Sequence, residues 1–144
     1  MKIIRGVICG SFDVIHPGYT RMFRDAKENA CNHLIVALQD DPTIDRPEKC
    51  KPVQSFNDRR EILQSIRYID DIVEYSTEKE LFKLLSTLDY DIRILGTDYR
   101  GKHYTGIELK KPVYYHVRNH DYSTTSLKRS IYNSMRDKIE SIDS

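Results

Sequence analysis

The residues from Gly10 to Tyr19, Gly-Ser-Phe-Asp-Val-Ile-His-Pro-Gly-Tyr, have the composition of a turn that holds an anion. Gly10 permits a tight turn, or lets a phosphate come close to the backbone. Ser11 adds a hydroxyl and an N–H group. His16 directly precedes Pro17, which suits a first helical turn because its missing N–H would have no partner there. Helix starts expose N–H groups and the positive end of the dipole, so they attract negative charge. An imidazole at that point can donate a hydrogen bond to a phosphate oxygen, and Gly18 leaves room for a ligand against the first turn. Any one of these residues alone reads as ordinary loop chemistry. Clustered at one strand end, they read as a phosphate site.

A second cluster, Ser123-Thr124-Thr125, opens the last helix. An N-cap needs only one hydroxyl, so the other two point to anion binding at that helix start. Arg118 follows a strand a few residues earlier. Lys49 and Lys51 lie in a long loop with Pro42, Pro47 and Pro52, where a phosphate grip and a solvated basic loop fit equally well. Arg67 ends a helix, where a surface salt bridge is the alternative to a substrate contact. Asp13 and Asp98 sit in turns, where Asp is common for local reasons. His33 reads as structural. His103, His116 and His120 lie near the substrate end, but their spacing indicates no metal site.

The elements that must carry these residues alternate. Ile3–Cys9 is an apolar run suited to a strand buried on both faces. A helix from Pro17 to about Ala30 follows, with Met22, Phe23, Ala26 and Ala30 on one face. His33–Leu38 is the second strand. Ser55 caps a helix that buries Ile62, Leu63 and Ile66. Ile72–Tyr75 is a short strand, and Thr77 with Glu80 forms a capping box for the helix after it. Ile92–Leu95 and Val113–Val117 are the last strands. The final helix runs to about Lys138, with Leu127, Ile131 and Met135 on one face and residues 140–144 as a frayed tail. This order predicts an α/β fold with a doubly wound, Rossmann-like parallel sheet of about five strands and helices on both faces. Ligands in such folds bind beyond the carboxyl ends of the strands, where strand order reverses.

The chain has 144 residues and reads as one domain, residues 1–144. Lys and Arg total 23 against 22 Asp and Glu, which argues against a general nucleic-acid binder. Three cysteines without zinc or redox spacing suggest reduced thiols in a cytoplasmic protein. No apolar run has the length of a membrane span, and no signal peptide is expected.

Gly10, Ser11, Phe12, Asp13, His16 and Gly18 match the nucleotidyltransferase superfamily signature, Gly-(Ser/Thr)-Phe-Asp followed by His-x-Gly-His. Three later segments resemble the cytidylyltransferase branch. Arg67–Val73 is similar to its Arg-Tyr-Val-Asp-Glu-Val stretch, Gly96–Tyr99 to its Gly-Asp-Asp-Trp, and Tyr122–Ser126 to its Ile-Ser-Thr-Thr-Ser. The bacterial glycerol-3-phosphate cytidylyltransferases are the nearest group by these motifs. The resemblance implies transfer of CMP from CTP to a phosphorylated small alcohol, with release of pyrophosphate. It implies Mg²⁺ bridging the CTP phosphates, and a homodimer. It gives catalytic roles to His16, Tyr19, Lys49 and Arg118. Nucleotide contacts fall to Gly10, Ser11, Phe12, Gly18, Asp98, Ser123, Thr124 and Thr125. Acceptor-side roles fall to Asp13, Lys51 and Arg67, with Asp13 either assisting the metal or fixing its loop.

Glycerol 3-phosphate is the first acceptor by this resemblance. Phosphocholine, phosphoethanolamine and sugar phosphates stay open, and residues 99–109 are expected to line the acceptor pocket. Tyr19 departs from the signature, replacing its second histidine. A tyrosine hydroxyl donates one hydrogen bond but stays neutral near pH 7. Losing one transition-state donor costs ~3 kcal/mol, or ~10²-fold in rate. Two alternatives follow: an adenylyltransferase of the same superfamily, or a catalytically weakened nucleotide-binding protein.

Overall fold

The computed structural model describes residues 2–143. Its centre is a sheet of five parallel strands in the order β3-β2-β1-β4-β5: β1 (Arg5–Gly10), β2 (His33–Gln39), β3 (Asp71–Tyr75), β4 (Ile92–Gly96) and β5 (Val113–His116). Helices α1 (Pro17–Asn29), α2 (Phe56–Gln64), α3 (Glu78–Thr87) and α4 (Thr124–Asp143) connect or follow the strands. Apolar side chains leave alternate faces of the strands, and each set needs its own cover. Ile8, Leu34, Val36, Leu38 and Ile94 pack with Phe23 and Ala26 of α1 and Leu63 of α2. Val7, Ile35 and Ala37 pack with Leu81 and Leu85 of α3. Helices therefore cover both faces, as the alternating pattern predicts. Strand order reverses between β1 and β4, which opens a crevice at their carboxyl ends.

The caps follow the sequence. Ser55 and Thr77 accept from the N–H groups of Asp58 and Glu80, and Ser123 accepts from Ser126. The capping box at α3 is shifted by one residue: the Glu80 carboxylate accepts from the Ser76 N–H. Two expectations need correction. Residues 140–144 are not a frayed tail as far as they are described, because α4 continues to Asp143. Its stripe of Ile131, Met135, Ile139 and Ile142 is not buried but exposed. Only the first turns of α4 touch the domain, and the rest of its 20 residues, ~30 Å in all, projects past the sheet.

Arg59 is the residue that fixes the crevice's floor. It lies on α2 yet is only 2% exposed. Its guanidinium donates to the carbonyls of Gln39 and Asp40 at the end of β2, Ser11 just after β1, and Gln54 before α2, at 2.5–3.1 Å. Burial lowers its pKa, and nearby Asp13, Asp40 and Asp41 act against that shift. Arg59→Met should leave these carbonyls short of donors and lower unfolding free energy by about 3 kcal/mol, read from urea melts. A change below about 1 kcal/mol would show that water replaces the guanidinium without cost.

Candidate functional site

A cleft of about 820 Å³ opens at the carboxyl ends of the strands. Its centre is the start of α1. His16 is the N-cap, and its Nδ1 accepts from the Gly18 N–H at 3.1 Å. An imidazole that accepts through Nδ1 must, when neutral, carry its proton on Nε2. That Nε2 is buried and has no partner among the described residues. The ring is clamped by Tyr19, stacked at 4.1 Å, with Tyr122 parallel at 6.1 Å. His16 therefore holds an uncommitted N–H beside a helix start, the arrangement an anionic oxygen requires. Burial lowers its pKa, and the neighbouring His120 and Arg118 lower it further.

Gly18 is required by close approach. A Cβ there would lie 2.6 Å from the His120 ring and 2.9 Å from the His16 ring. Sequence reasoning gives that space to a ligand; in the structure the two imidazoles use it.

The turn before His16 is strained. Phe12 and Val14 have φ of 47° and 55°, in the left-handed region that β-branched side chains rarely enter. Asp13 holds the turn between them. Only 4% exposed, it accepts from the Val53 and Gln54 N–H groups at 2.8 and 3.0 Å and pairs with Lys128 of α4 at 2.7 Å. Burial raises the pKa of this carboxyl, but these partners outweigh it and the net shift is downward. Of the two roles open to it from sequence, the carboxylate here fixes the loop. Phe12 is an anchor as well, 3% exposed and packed on Tyr19 and Phe23.

The starts of α1 and α4 converge on this cleft. Ser123 caps α4, and Thr124 donates to the Asp13 carbonyl at 2.9 Å. Thr125 lines the cleft. The Tyr19 hydroxyl lies 3.2 Å from the Thr124 hydroxyl, whose proton already goes to Asp13. Tyr19 must then be the donor in that pair, and it has no second proton for a phosphate. In this geometry Tyr19 braces the two helix starts and supports the His16 ring.

Gly10, Ser11, Lys49, Asp98 and Arg118 also line the cleft. Arg118 reaches the Asp98 carboxylate at 3.4 Å and donates to the Tyr122 carbonyl at 3.1 Å. The other two acceptor-side residues do not join them. Lys51 is 80% exposed and faces Asp41 at 3.5 Å. Arg67 lies over its neighbour Tyr68 and donates to that hydroxyl at 2.7 Å. Neither Lys51 nor Arg67 lines the cleft.

A model of the cytidylyltransferase-like family matches residues 7–130, which spans this cleft and nearly all of the sheet. The chain belongs to the cytidylyltransferase-like family. It is 36% identical over 107 residues to the bifunctional protein HldE of Gluconacetobacter diazotrophicus, covering 72% of this chain and 21% of that protein. It is 36% identical over 95 residues to the FAD synthase of Pyrococcus horikoshii, covering 66% of this chain and 64% of that protein. The matches thus span about a fifth of the first relative and just under two thirds of the second. A solved structure described as a lipopolysaccharide core biosynthesis protein from Thermoplasma volcanium shares the fold, with a TM-score of 0.64 at 23% identity over 85% of this chain and all of that one.

Sequence reasoning places one member of this cytidylyltransferase-like cleft near the substrate end but misses its partner. His116 lines it at the end of β5, and its Nδ1 meets the Asp25 carboxylate at 2.7 Å. Tyr114 and Asn29 donate to the same carboxylate at 2.8 and 2.7 Å. Burial raises the Asp25 pKa, but these partners, His116 first, bring it below the usual value. In the neutral ring Nδ1–H donates to Asp25, which leaves Nε2 as an acceptor without a partner among the described residues. The two imidazoles thus present opposite polarity: His16 a donor, His116 an acceptor.

The His16 assignment has a pH signature. An unfolded histidine takes up a proton at about pH 6.5. Folded His16 resists protonation until lower pH, so between the two values the unfolded state binds more protons. Its contribution to stability is therefore complete above that unfolded pKa and declines as pH falls through the window. A proton-detected NMR titration of the unliganded protein should place the His16 inflection below 6.5. An inflection above that value would overturn this reading of its surroundings.

Proposed function

We propose that the protein is a nucleotidyltransferase that moves CMP from CTP onto the phosphate of a small phosphorylated alcohol. An acceptor phosphate oxygen attacks the α-phosphorus, the bond to the β-phosphate bridging oxygen breaks, and pyrophosphate leaves with that electron pair. The acceptor is already anionic and needs no strong base, so catalysis is positioning and charge stabilisation. The observation that carries this reading is the uncommitted Nε2–H of His16 at the mouth of α1, facing the start of α4. Arg118 and Lys49 add cationic charge to the same cleft.

Mg²⁺ fits as a ligand of the nucleotide phosphates. Among the described residues no three acids, histidines or cysteines form a metal cluster, and Asp13 is committed elsewhere. Asp98 and Glu48 are exposed carboxylates of the cleft that could take a place on such an ion. When bound, the ion would neutralise charge on the leaving pyrophosphate.

ATP is the second donor reading, favoured by one observation: a relative is named FAD synthase, and FAD carries an adenylyl group. Pyrophosphate release should be followed with CTP and ATP in parallel, across a panel of phosphorylated alcohols with Mg²⁺. The expected result is faster release with CTP. Faster release with ATP would reassign the donor, and no release with either would leave a nucleotide-binding protein.

We also propose that two copies pair through α4. Its exposed stripe repeats every three to four residues, and a two-fold antiparallel pair centred on Met135 would set Ile131 against Ile139 of the second copy. No helix is long and apolar enough to cross a membrane among the described residues, which suits a water-exposed pairing helix. Sedimentation velocity should show a dimer that Ile139→Lys converts to a monomer. A monomeric wild type at tens of micromolar would end this proposal.

A further inference from the structure

The cleft has a second half that the phosphate mouth does not use. It lies on the α3 side, between the ends of β2 and β3 and the loop after β4, and a ring of polar side chains surrounds it. Arg46 donates to Gln39 at 3.3 Å and pairs with Glu78 at 3.2 Å. The other Glu78 oxygen accepts from Thr105 at 2.7 Å, and Arg93 donates to the Thr105 carbonyl at 2.5 Å. All five side chains line the cleft. Arg93 is only 5% exposed, although it stands in a strand, and its guanidinium lies over the Tyr104 ring at 5.2 Å.

Two features of this ring point to a ligand. The Nε–H groups of Arg46 and Arg93 are buried and have no partner among the described residues. A buried guanidinium donor left unpaired is costly unless something else meets it. In addition, the ring holds two guanidinium groups, Arg46 on the Glu78 carboxylate and Arg93 on the Thr105 carbonyl, against one carboxylate, which leaves it with an excess of positive charge.

We infer that this ring is the recognition surface for the body of the acceptor, and that it selects a phosphorylated polyol or sugar over a phosphorylated amine. The inference rests on the transfer reading and narrows its acceptor. Hydroxyl groups both donate and accept, so a polyol can satisfy the free Arg N–H groups and the remaining lone pairs of Glu78 and Gln39 together. An ammonium cannot. The carboxylate within the ring, Glu78, is already shared between Arg46 and Thr105, and an ammonium beside it would stand close to the Arg46 guanidinium. Within the ring, the face of Tyr104 is already occupied by the Arg93 guanidinium.

The test is direct binding, which does not depend on turnover. Isothermal titration would compare glycerol 3-phosphate and several hexose 1-phosphates with phosphocholine and phosphoethanolamine, in the presence of Mg²⁺ and α,β-methylene-CTP. At least one polyol phosphate should bind tenfold or more tightly than both amines. Arg93→Met removes a buried group and risks the fold, so the variant of choice is Arg46→Met, whose side chain is 37% exposed. It should weaken binding of the preferred acceptor at least tenfold while CTP affinity stays unchanged, and Arg46→Lys should recover part of the loss. Amines that bind as tightly as every polyol, or an Arg46→Met variant that binds the preferred acceptor like wild type, would overturn the inference. Selective binding without pyrophosphate release would instead count against the transfer reading and leave the ring's assignment standing.

Discussion

Parallel strands end with carbonyl groups that no neighbouring strand can reach, and in this protein the loops that follow β1 and β2 must also hold a defined shape. Arg59 meets both needs. One planar guanidinium has five donors in a fixed fork, and here it spans carbonyls from three separate segments of chain. A lysine could not span them, because its ammonium is a single point. The His16 turn, the long loop with Lys49, and the start of α2 are set relative to one another through this group.

The turn between β1 and α1 carries strain that the surroundings must offset. Non-glycine residues at positive φ are costly, and this turn holds two of them, Phe12 and Val14. They flank Asp13, which ties the turn to residues 53 and 54 and to α4. Thr124 adds a bond to the Asp13 carbonyl. The last helix therefore locks the first turn, and the two helix starts that would meet a polyphosphate are fixed together before any ligand arrives. For a reaction that relies on positioning, such rigidity lowers the reorganisation left to the chemical step.

Much of this is legible in residue order. Alternating strands and helices, the caps at Ser55, Thr77 and Ser123, and the His16 turn all rest on local rules, and local rules survive folding. The residues that sequence reasoning misses act over long separations. Arg59 reads as an ordinary charge on an amphipathic helix, because nothing in its neighbourhood reveals that four carbonyls converge on it. Asp25 and His116 are 91 residues apart, and only the sheet brings them together. Arg93 stands between Ile92 and Ile94, where strand alternation does suggest opposite faces but not that the other face is buried. Helix α4 misleads in the opposite direction. Its apolar stripe has the period of a buried face, and periodicity alone cannot say whether the cover comes from the same chain.

The replacement at position 19 also looks different once the geometry is considered. A second imidazole there would have offered another proton to a phosphate. Tyr19 instead gives its proton to Thr124, packs its ring on Phe12, and presses its face against His16. It converts a chemical contact into a mechanical one. The contact that a second histidine would have supplied has candidates nearby: the Arg118 guanidinium in the cleft, and His120, whose ring fills the space above Gly18 and is held towards the neutral form by burial and Arg118. Both lie on the segment between β5 and α4, so the donors of this site are divided between a rigid turn on one side and a loop on the other.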